Sequence, residues 1–459
     1  MNKEINILSN LLEFVTEFKF ENLGKDIINV VQMSFIDTLA VTLAGADEEC
    51  SKILQKTYLK FKETEGIPIL GTPFSSTPEI AALLNGTSSH ALDLDDTGAS
   101  TQGHPSAIIW STIWAFMDEK TNDKDIISSY VIGVEVMSKL SRALPKLHLK
   151  GWHPSSVIGI VAATVSVSYL LKLNKDKMAY AIGLATSMSS GLVCNFGSMT
   201  KPFHIGKASS NAVQAVKLAQ NNFTSSINIL DDKNKSFLTS IFGKDEVNYT
   251  ELIKPWKHPL AINKFGLNFK RYPCCALTHR SLDIMLELLS LNNIDTSLIE
   301  KVICRVPPRA TKVLFYKYPN KGLEGKFCMP FVLSCALKFK KVTPSMFTDN
   351  LVVDKELLSL ISLIDFDEHE DWIDGENDWR PDIVKIILKD KSVYQGECVY
   401  PKGHAKRPMD LENLSLKFID LSKNILSKDK QTKILDLVIK LGTNDNTYSE
   451  IMSILRSCK

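Results

Sequence analysis

The feature that most constrains the fold is a run near the middle of the chain, Ser156 to Ser190, built mainly from Ala, Gly, Ser and Val. Small side chains let helix axes approach closely, so this run reads as the centre of a tightly packed helical bundle. Its most apolar part, Val157 to Leu171, carries Thr164, Ser166 and Ser168 and falls short of the ~20 residues that span a bilayer. A buried helix is therefore expected there. Apolar residues recur at helical spacing from Asn10 to Phe20 (Leu11, Leu12, Val15, Phe18) and from Lys25 to Leu43. A further amphipathic helix is expected from Ser209 to Asn221, entered through Gly206.

The pattern changes near residue 266. Ile299 to Val306 alternates as a half-buried strand does, and so do Asp382 to Leu388 and Ser392 to Val399, joined by the polar turn Lys389-Asp390-Lys391. Helical segments around Phe331–Phe339 and Asp354–Leu363 lie between the first strand and this hairpin. Residues 1–265 thus read as a large helical domain, 266–405 as a smaller α+β domain, and 406–459 as helices again.

Composition excludes several classes. The chain has 54 basic and 52 acidic residues, a formal charge of +2, so no global field draws in nucleic acid or an anionic membrane. Attraction for an anion must come from a local cluster. The opening MNKEINILSNLLEFVTEF lacks a signal-peptide core. The nine cysteines are scattered, odd in number and without a C-x-x-C pair, which fits a reducing compartment, the cytoplasm, and gives no zinc site. No dinucleotide, P-loop or H-E-x-x-H motif occurs, and no G-x-S-x-G elbow. The expectation is no cofactor, no metal, no nucleic-acid partner and no membrane.

Five of the nine histidines fall between residues 90 and 204. In the segment HALDLDDT, a helix would put His90, Asp93 and Thr97 within one ~60° arc and turn Asp95 away. Two His-Pro-Ser starts follow, Gly103-His104-Pro105-Ser106 and Trp152-His153-Pro154-Ser155, each ahead of an apolar stretch. Proline at a first helical position is favoured, which puts both imidazoles at helix N-termini. The exposed N–H groups there would hold them neutral and able to act as bases. Then come MTKPFHIGK, where Pro202 and Gly206 mark a loop with Lys201 and Lys207 at its mouth, and FKRYPCCALTHR, with Lys270 and Arg271 at the junction of the two regimes. Histidines move protons near neutral pH, and lysines and arginine clamp carboxylates. These ingredients suit proton abstraction or loss of CO₂ beside a carboxylate, where enolate-like charge needs fixed cations.

HALDLDDT, GHPSA, GWHPSS, MTKPFHIG and KRYPCCALTH, in this order and at these separations, resemble the MmgE/PrpD family, and YPNKGLEGKFCMPF and DWRPDIV…GHAKRP extend the likeness over essentially the whole chain. The resemblance implies a mainly α fold: a large all-helical domain built from both chain ends, with 406–459 returning to it, and a smaller α+β lid. It also implies a homodimer without cofactor. The family includes 2-methylcitrate dehydratase, cis-aconitate decarboxylase and iminodisuccinate epimerase.

By motif match, the resemblance implies site roles for Asp93, Thr97, His104, His153, Lys201 and Lys270, with Tyr318 as the tyrosine ahead of the E-x-[KR] segment and Tyr316 competing for that place. Cys275 stands where the animal decarboxylases carry histidine, and the methylcitrate dehydratases lack the YPCC segment. The expected enzyme is a lyase or isomerase acting on a small di- or tricarboxylate clamped by Lys201, Lys270 and Arg271 or Lys207. His104 is the principal acid/base, His153 the second, and Asp93 orients one of them. Decarboxylation ranks first, epimerisation second, dehydration third. A non-catalytic helical scaffold is the rival, and it gives no reason for His104, His153, Lys201 and Lys270 to share one cleft.

Overall fold

The computed structural model describes residues 6–59, 66–116, 121–256, 259–371, 380–443 and 446–456. Asp378 and Trp379, which open the DWRPDIV segment, lie outside the described residues. The protein is mainly α, with two hydrophobic cores that meet between Phe269 and Tyr272.

The larger core takes in α1 (Ile7–Glu17), α2 (Lys25–Gly45), α4 (Pro105–Trp114), α5 (Asp123–Ala143), α6 (Gly159–Leu170), α7 (Lys175–Ser187) and α8 (Thr200–Gln220), with α3 (Pro78–Ala91) packed against α2 and α8. Leu414, Phe418, Ile434, Leu437, Tyr448 and Ile451 from the end of the chain pack into the same core. The Ala/Gly/Ser/Val run forms α6 and α7, and every residue of α6 except Tyr169 is buried. By length and composition α2 could cross a membrane, but here Val31, Phe35, Ile36, Leu39 and Leu43 are fully buried at the centre of the fold.

An aromatic cluster fixes α4. Trp110 stacks on Tyr130 at 4.6 Å, meets Phe35 edge-on at 5.0 Å and donates its indole N–H to Ser34 at 3.1 Å. Truncating such a side chain to alanine costs roughly 3–5 kcal/mol. Because His104 immediately precedes α4, this packing also sets where His104 stands.

Two sequence expectations change here. The helix expected from Ser209 begins nine residues earlier, at Thr200, with Pro202 in its first turn, where a missing N–H is tolerated. Gly206 is therefore not a helix entrance. It lies where α8 crosses α3, and a Cβ on it would come within 2.2 Å of the Leu83 carbonyl oxygen. The second change is in HALDLDDT. Helix α3 stops at Ala91, and Asp93 takes a left-handed conformation with φ +52°. Aspartate visits that region more readily than most residues.

The smaller core is built on a four-stranded sheet of β3 (Ile299–Val306), β4 (Ile364–Glu368), β5 (Asp382–Leu388) and β6 (Val393–Cys398), in the order β4-β3-β5-β6. The β3/β4 pair is parallel and the other two are antiparallel. Strand β5 alternates buried and half-buried residues, as its sequence predicts. Helix α9 (His279–Asn292) covers the sheet, and a Cβ on Gly396 would meet Ile284 at 2.8 Å. Helices α10 (Pro308–Val313) and α11 (Met329–Phe339) also belong to this domain, as does the expected helix at Lys355–Ser362, whose Leu357 and Ile361 join its core. The two domains are also stitched by a short ladder of β1 (Thr97–Gly98) on β2 (Leu267–Asn268). Helix α12 (Leu411–Ser422) then carries the chain back to α2.

Candidate active site

A cavity of about 290 Å³ opens between the two domains. Asp93, Thr97, His104, His153, Lys201 and Lys270 all line it, joined by Phe196, Cys275, His279 and Phe327. The four residues that a scaffold would have no reason to gather therefore share one cleft.

The geometry centres on two aspartates. Asp93 Oδ1 accepts from Lys201 Nζ at 2.9 Å and from Lys270 Nζ at 2.8 Å, and Lys270 also donates to the Asp93 carbonyl at 2.8 Å. Burial pushes the Asp93 carboxyl up, but the two ammonium groups overcome it and hold it well below the usual range. It is therefore an anion. The same contacts raise Lys270 against the effect of its burial.

Asp95 is expected to point away from His90, but it stands between two imidazoles. Its carboxylate lies 2.9 Å from His90 Nδ1, and its Oδ2 lies 3.0 Å from His104 Nδ1. The second contact is at ion-pair distance but off the line of a good hydrogen bond. The reversal follows from the end of α3. Once the chain leaves the helix at Leu92, the 100° spacing no longer applies. His90 Nε2 faces Lys201 Nζ at 2.8 Å, so both its nitrogens are taken. Burial, with Lys201 beside it, drives its pKa down to about 3 against the opposing pull of Asp95. His104 is also lowered, first by burial and then by Lys270 and Lys201 against Asp95. Helix-end N–H groups are not the leading cause.

With Asp95 beside Nδ1, the other ring nitrogen of His104, Nε2, lies 3.9 Å from Asp93 Oδ1. Asp95 thus stands nearer to His104, at 3.0 Å, than Asp93 does, at 3.9 Å. A carboxylate this close to one imidazole nitrogen stabilises the charged ring and favours a proton arriving on the far nitrogen. Neither His90 nor Asp95 is among the site residues expected from the sequence. The signal available is the density of acid groups beside one histidine, and a helix that ends at Ala91 lets Asp95 turn inward.

His153 has different surroundings. Its Nδ1 lies 3.1 Å from His204 Nδ1, and its ring packs edge-on to Phe196 at 5.0 Å. Burial holds it well below the ordinary histidine range. The two His-Pro-Ser starts touch: Ser155 Oγ accepts the backbone N–H of His104 at 3.0 Å, and a Cβ on Gly103 would meet that same Oγ at 2.3 Å.

Three expected site residues fall outside the cavity lining. Lys207 is six residues beyond Lys201, about 240° further round α8, and is exposed. Arg271 follows Lys270 on an extended segment and points the other way, 3.6 Å from Asp283 and over the Tyr272 ring at 5.3 Å. Tyr318 is 53% exposed on a loop after α10. Tyr316 comes nearer, donating to the Phe196 carbonyl at 3.2 Å, one layer behind the wall. Cations that the sequence did not single out line the cavity instead, Arg309 and Lys312 on α10 and Lys402.

Ligand atoms of His90, Asp93, Asp95 and His104 lie within 4.8 Å of one another, close enough to encircle a metal ion. The donor types suit a metal, but Lys201 and Lys270 already occupy Asp93. A dication there would have to compete with both ammonium groups for Asp93.

A model of the MmgE/PrpD N-terminal domain matches residues 9–250 and one of the MmgE/PrpD C-terminal domain matches 272–442. Human cis-aconitate decarboxylase is 23% identical over 438 residues, covering 92% of this chain and 89% of that protein. The mouse cis-aconitate decarboxylase is 25% identical over 444 residues, covering 92% and 88%. The 2-methylcitrate dehydratase of Escherichia coli K12 is 21% identical over 454 residues, covering 93% and 92%. With both domain models matched in order along a two-core fold, the chain belongs to the MmgE/PrpD family.

Proposed function

We propose that this protein is a lyase that uses His104 to move a proton beside a carboxylate of a small di- or tricarboxylate, with cis-aconitate decarboxylation as the best reading. One observation carries it. A neutral imidazole backed by a buried carboxylate opens onto a cavity floored by two buried ammonium groups.

Within that floor the charges of Asp93, Asp95, Lys201 and Lys270 cancel, so long-range attraction for an anion comes from the mouth, from Arg309, Lys312 and Lys402. A carboxylate arriving beside Lys201 and Lys270 competes with Asp93 for them. Its negative charge also raises the proton affinity of His104, as any nearby anion does. The imidazole that is neutral when the site is empty then holds a proton when the substrate is bound.

In decarboxylation, the bond to the leaving carboxyl breaks and its electron pair forms a new C=C bond. The old double bond shifts its pair to the carbon that takes the proton from His104 Nε2. The lysines stabilise the negative charge that builds up on the remaining carboxylates. Phe196 and Phe327 supply the less polar wall toward which CO₂ leaves. The slightly higher identity of the decarboxylase relatives, 23% and 25% against 21% for the dehydratase, favours this order over dehydration.

The test is a panel of cis-aconitate, 2-methylcitrate and iminodisuccinate followed by proton NMR in D₂O. Itaconate with one deuterium supports the proposal. An alkene from 2-methylcitrate moves the protein to the dehydratases, and deuterium exchange into iminodisuccinate without net change moves it to the epimerases. Silence on all three defeats the reading.

A further inference from the structure

Lys417, on the helix that returns from the chain end, is a largely buried cation near the cavity that the proposed chemistry leaves without a role. Its side chain is 12% exposed and does not line the cavity. All three ammonium protons are used: Nζ donates to Asp37 Oδ1 at 2.6 Å, to the Leu94 carbonyl at 2.8 Å and to the Lys270 carbonyl at 3.1 Å. Leu94 is the residue between Asp93 and Asp95. Lys270 is the residue whose own ammonium returns to Asp93 Oδ1 and to the Asp93 carbonyl. A single side chain thus grips both backbones that deliver the central ion pair.

The grip is needed because the loop it holds is not relaxed. Asp93 sits at φ +52°, a region that costs a non-glycine residue free energy and persists only where the surroundings impose it. Leu421, one turn beyond Lys417, packs against the cluster of Val41, Leu92 and Leu94. Helix α12 therefore presses the loop from one face with an apolar contact and a cation four residues apart. Asp37, from α2, anchors the cation from the opposite side, and its side chain is fully buried.

We propose that Lys417 is a positioning residue: by tying the Leu94 and Lys270 carbonyls to Asp37, it sets Asp93 and Asp95 at the spacing the acid/base site requires. The role rests on the reading of the cavity as an acid/base site.

Two variants and two readouts test it. Lys417→Met keeps the length of the side chain but strands a buried carboxylate on Asp37, so loss of stability is expected from that alone. The double variant Asp37→Asn with Lys417→Met removes the stranded charge and regains thermal stability. If Lys417 positions the site, kcat stays down by about 100-fold in the double variant, the scale of a small misplacement of catalytic groups, while KM changes less than about threefold. Crystal structures of wild type and double variant give the second readout. The Lys270–Asp93 contact of 2.8 Å opens in the variant. Recovery of kcat together with stability overturns the proposal, and so does an unchanged Lys270–Asp93 contact. The crystallographic arm needs no substrate, so a wild type silent on the polycarboxylate panel defeats the functional reading while this arm still decides the role of Lys417.

Discussion

The two His-Pro-Ser starts share a sequence and differ in chemistry. Each puts a histidine at the N-cap of a helix with proline at the first position, and each imidazole lines the same cavity. His104 has the Asp95 carboxylate at 3.0 Å, while His153 has another imidazole, His204, at 3.1 Å. A carboxylate partner stabilises the imidazolium that forms when a proton arrives. An imidazole partner only shares a proton and adds no charge. The motif therefore fixes where the ring stands, and the partner, supplied from elsewhere in the chain, fixes what the ring can do.

The strongest way to break this comparison is to change the partners. Asp95→Asn keeps the shape but can no longer stabilise a charged His104 and can hold it in the wrong tautomer. Turnover should fall by roughly 10²–10⁴, the range typical of a general acid or base, and His104→Ala should fall within the same range. Next in size is His204→Phe, which leaves His153 without its Nδ1 partner, and a loss of about tenfold is expected because no charge is removed. Steady-state kcat/KM on whichever polycarboxylate is turned over gives both numbers. A larger loss in His204→Phe than in Asp95→Asn would reverse the roles of the two histidines.

How much of this was legible in the sequence depends on the range of the signal. Strand β5 matched its expected span of Asp382 to Leu388, and both His-Pro-Ser starts began helices at the proline, because these features are encoded by neighbouring residues. The placement of Lys201 and Lys270 in one cleft came through the resemblance and not through spacing, since 69 residues separate them. The centre of the site was misread where local rules stop applying. Ala91-Leu92-Asp93 carries no glycine or proline to end a helix, so nothing local announced the turn at Asp93 that brings Asp95 inward. Gly206 misled in the opposite sense. It looked like a break and is a contact point between two helices.

The pH dependence of stability sharpens the comparison at smaller scale. His90, His153 and His279 are buried and held neutral, at about 3 for His90 and His279 and well below the ordinary range for His153. Unfolded, each binds a proton near pH 6.5. Their folded pKa values are depressed, so stability is intact above 6.5 and falls as pH drops through it, by about 1.4 kcal/mol per histidine per pH unit. Asp96 acts in the opposite sense. Burial raises it to about 8, so the native state keeps a proton that the unfolded chain has lost, and stability declines as pH rises toward 8. Urea midpoints between pH 5 and 8 should therefore peak near 6.5. Substituting His153 by Gln should flatten the acid side more than the same change at His104, whose partner Asp95 opposes the depression. Equal flattening would mean that the carboxylate does not distinguish the two rings.

The smallest effects should come from residues that the motifs promote and the geometry does not. Lys207 belongs to the same lysine-rich segment as Lys201, Arg271 adjoins Lys270, and Tyr318 stands where the family resemblance puts a tyrosine. In the structure Lys207 faces outward from α8, Arg271 is engaged with Asp283, and Tyr318 is on an open loop. Surface substitutions of this kind change stability by about 0.5 kcal/mol or less. Lys207→Ala, Arg271→Ala and Tyr318→Phe should therefore keep kcat/KM within about twofold, whereas Arg309→Gln and Lys312→Gln at the cavity mouth should raise KM severalfold with little change in kcat, because they remove attraction felt equally by ground and transition states. A tenfold fall in kcat for Tyr318→Phe would show that the loop after α10 folds onto the bound substrate. In that case the cavity described here would be only the open half of the working site.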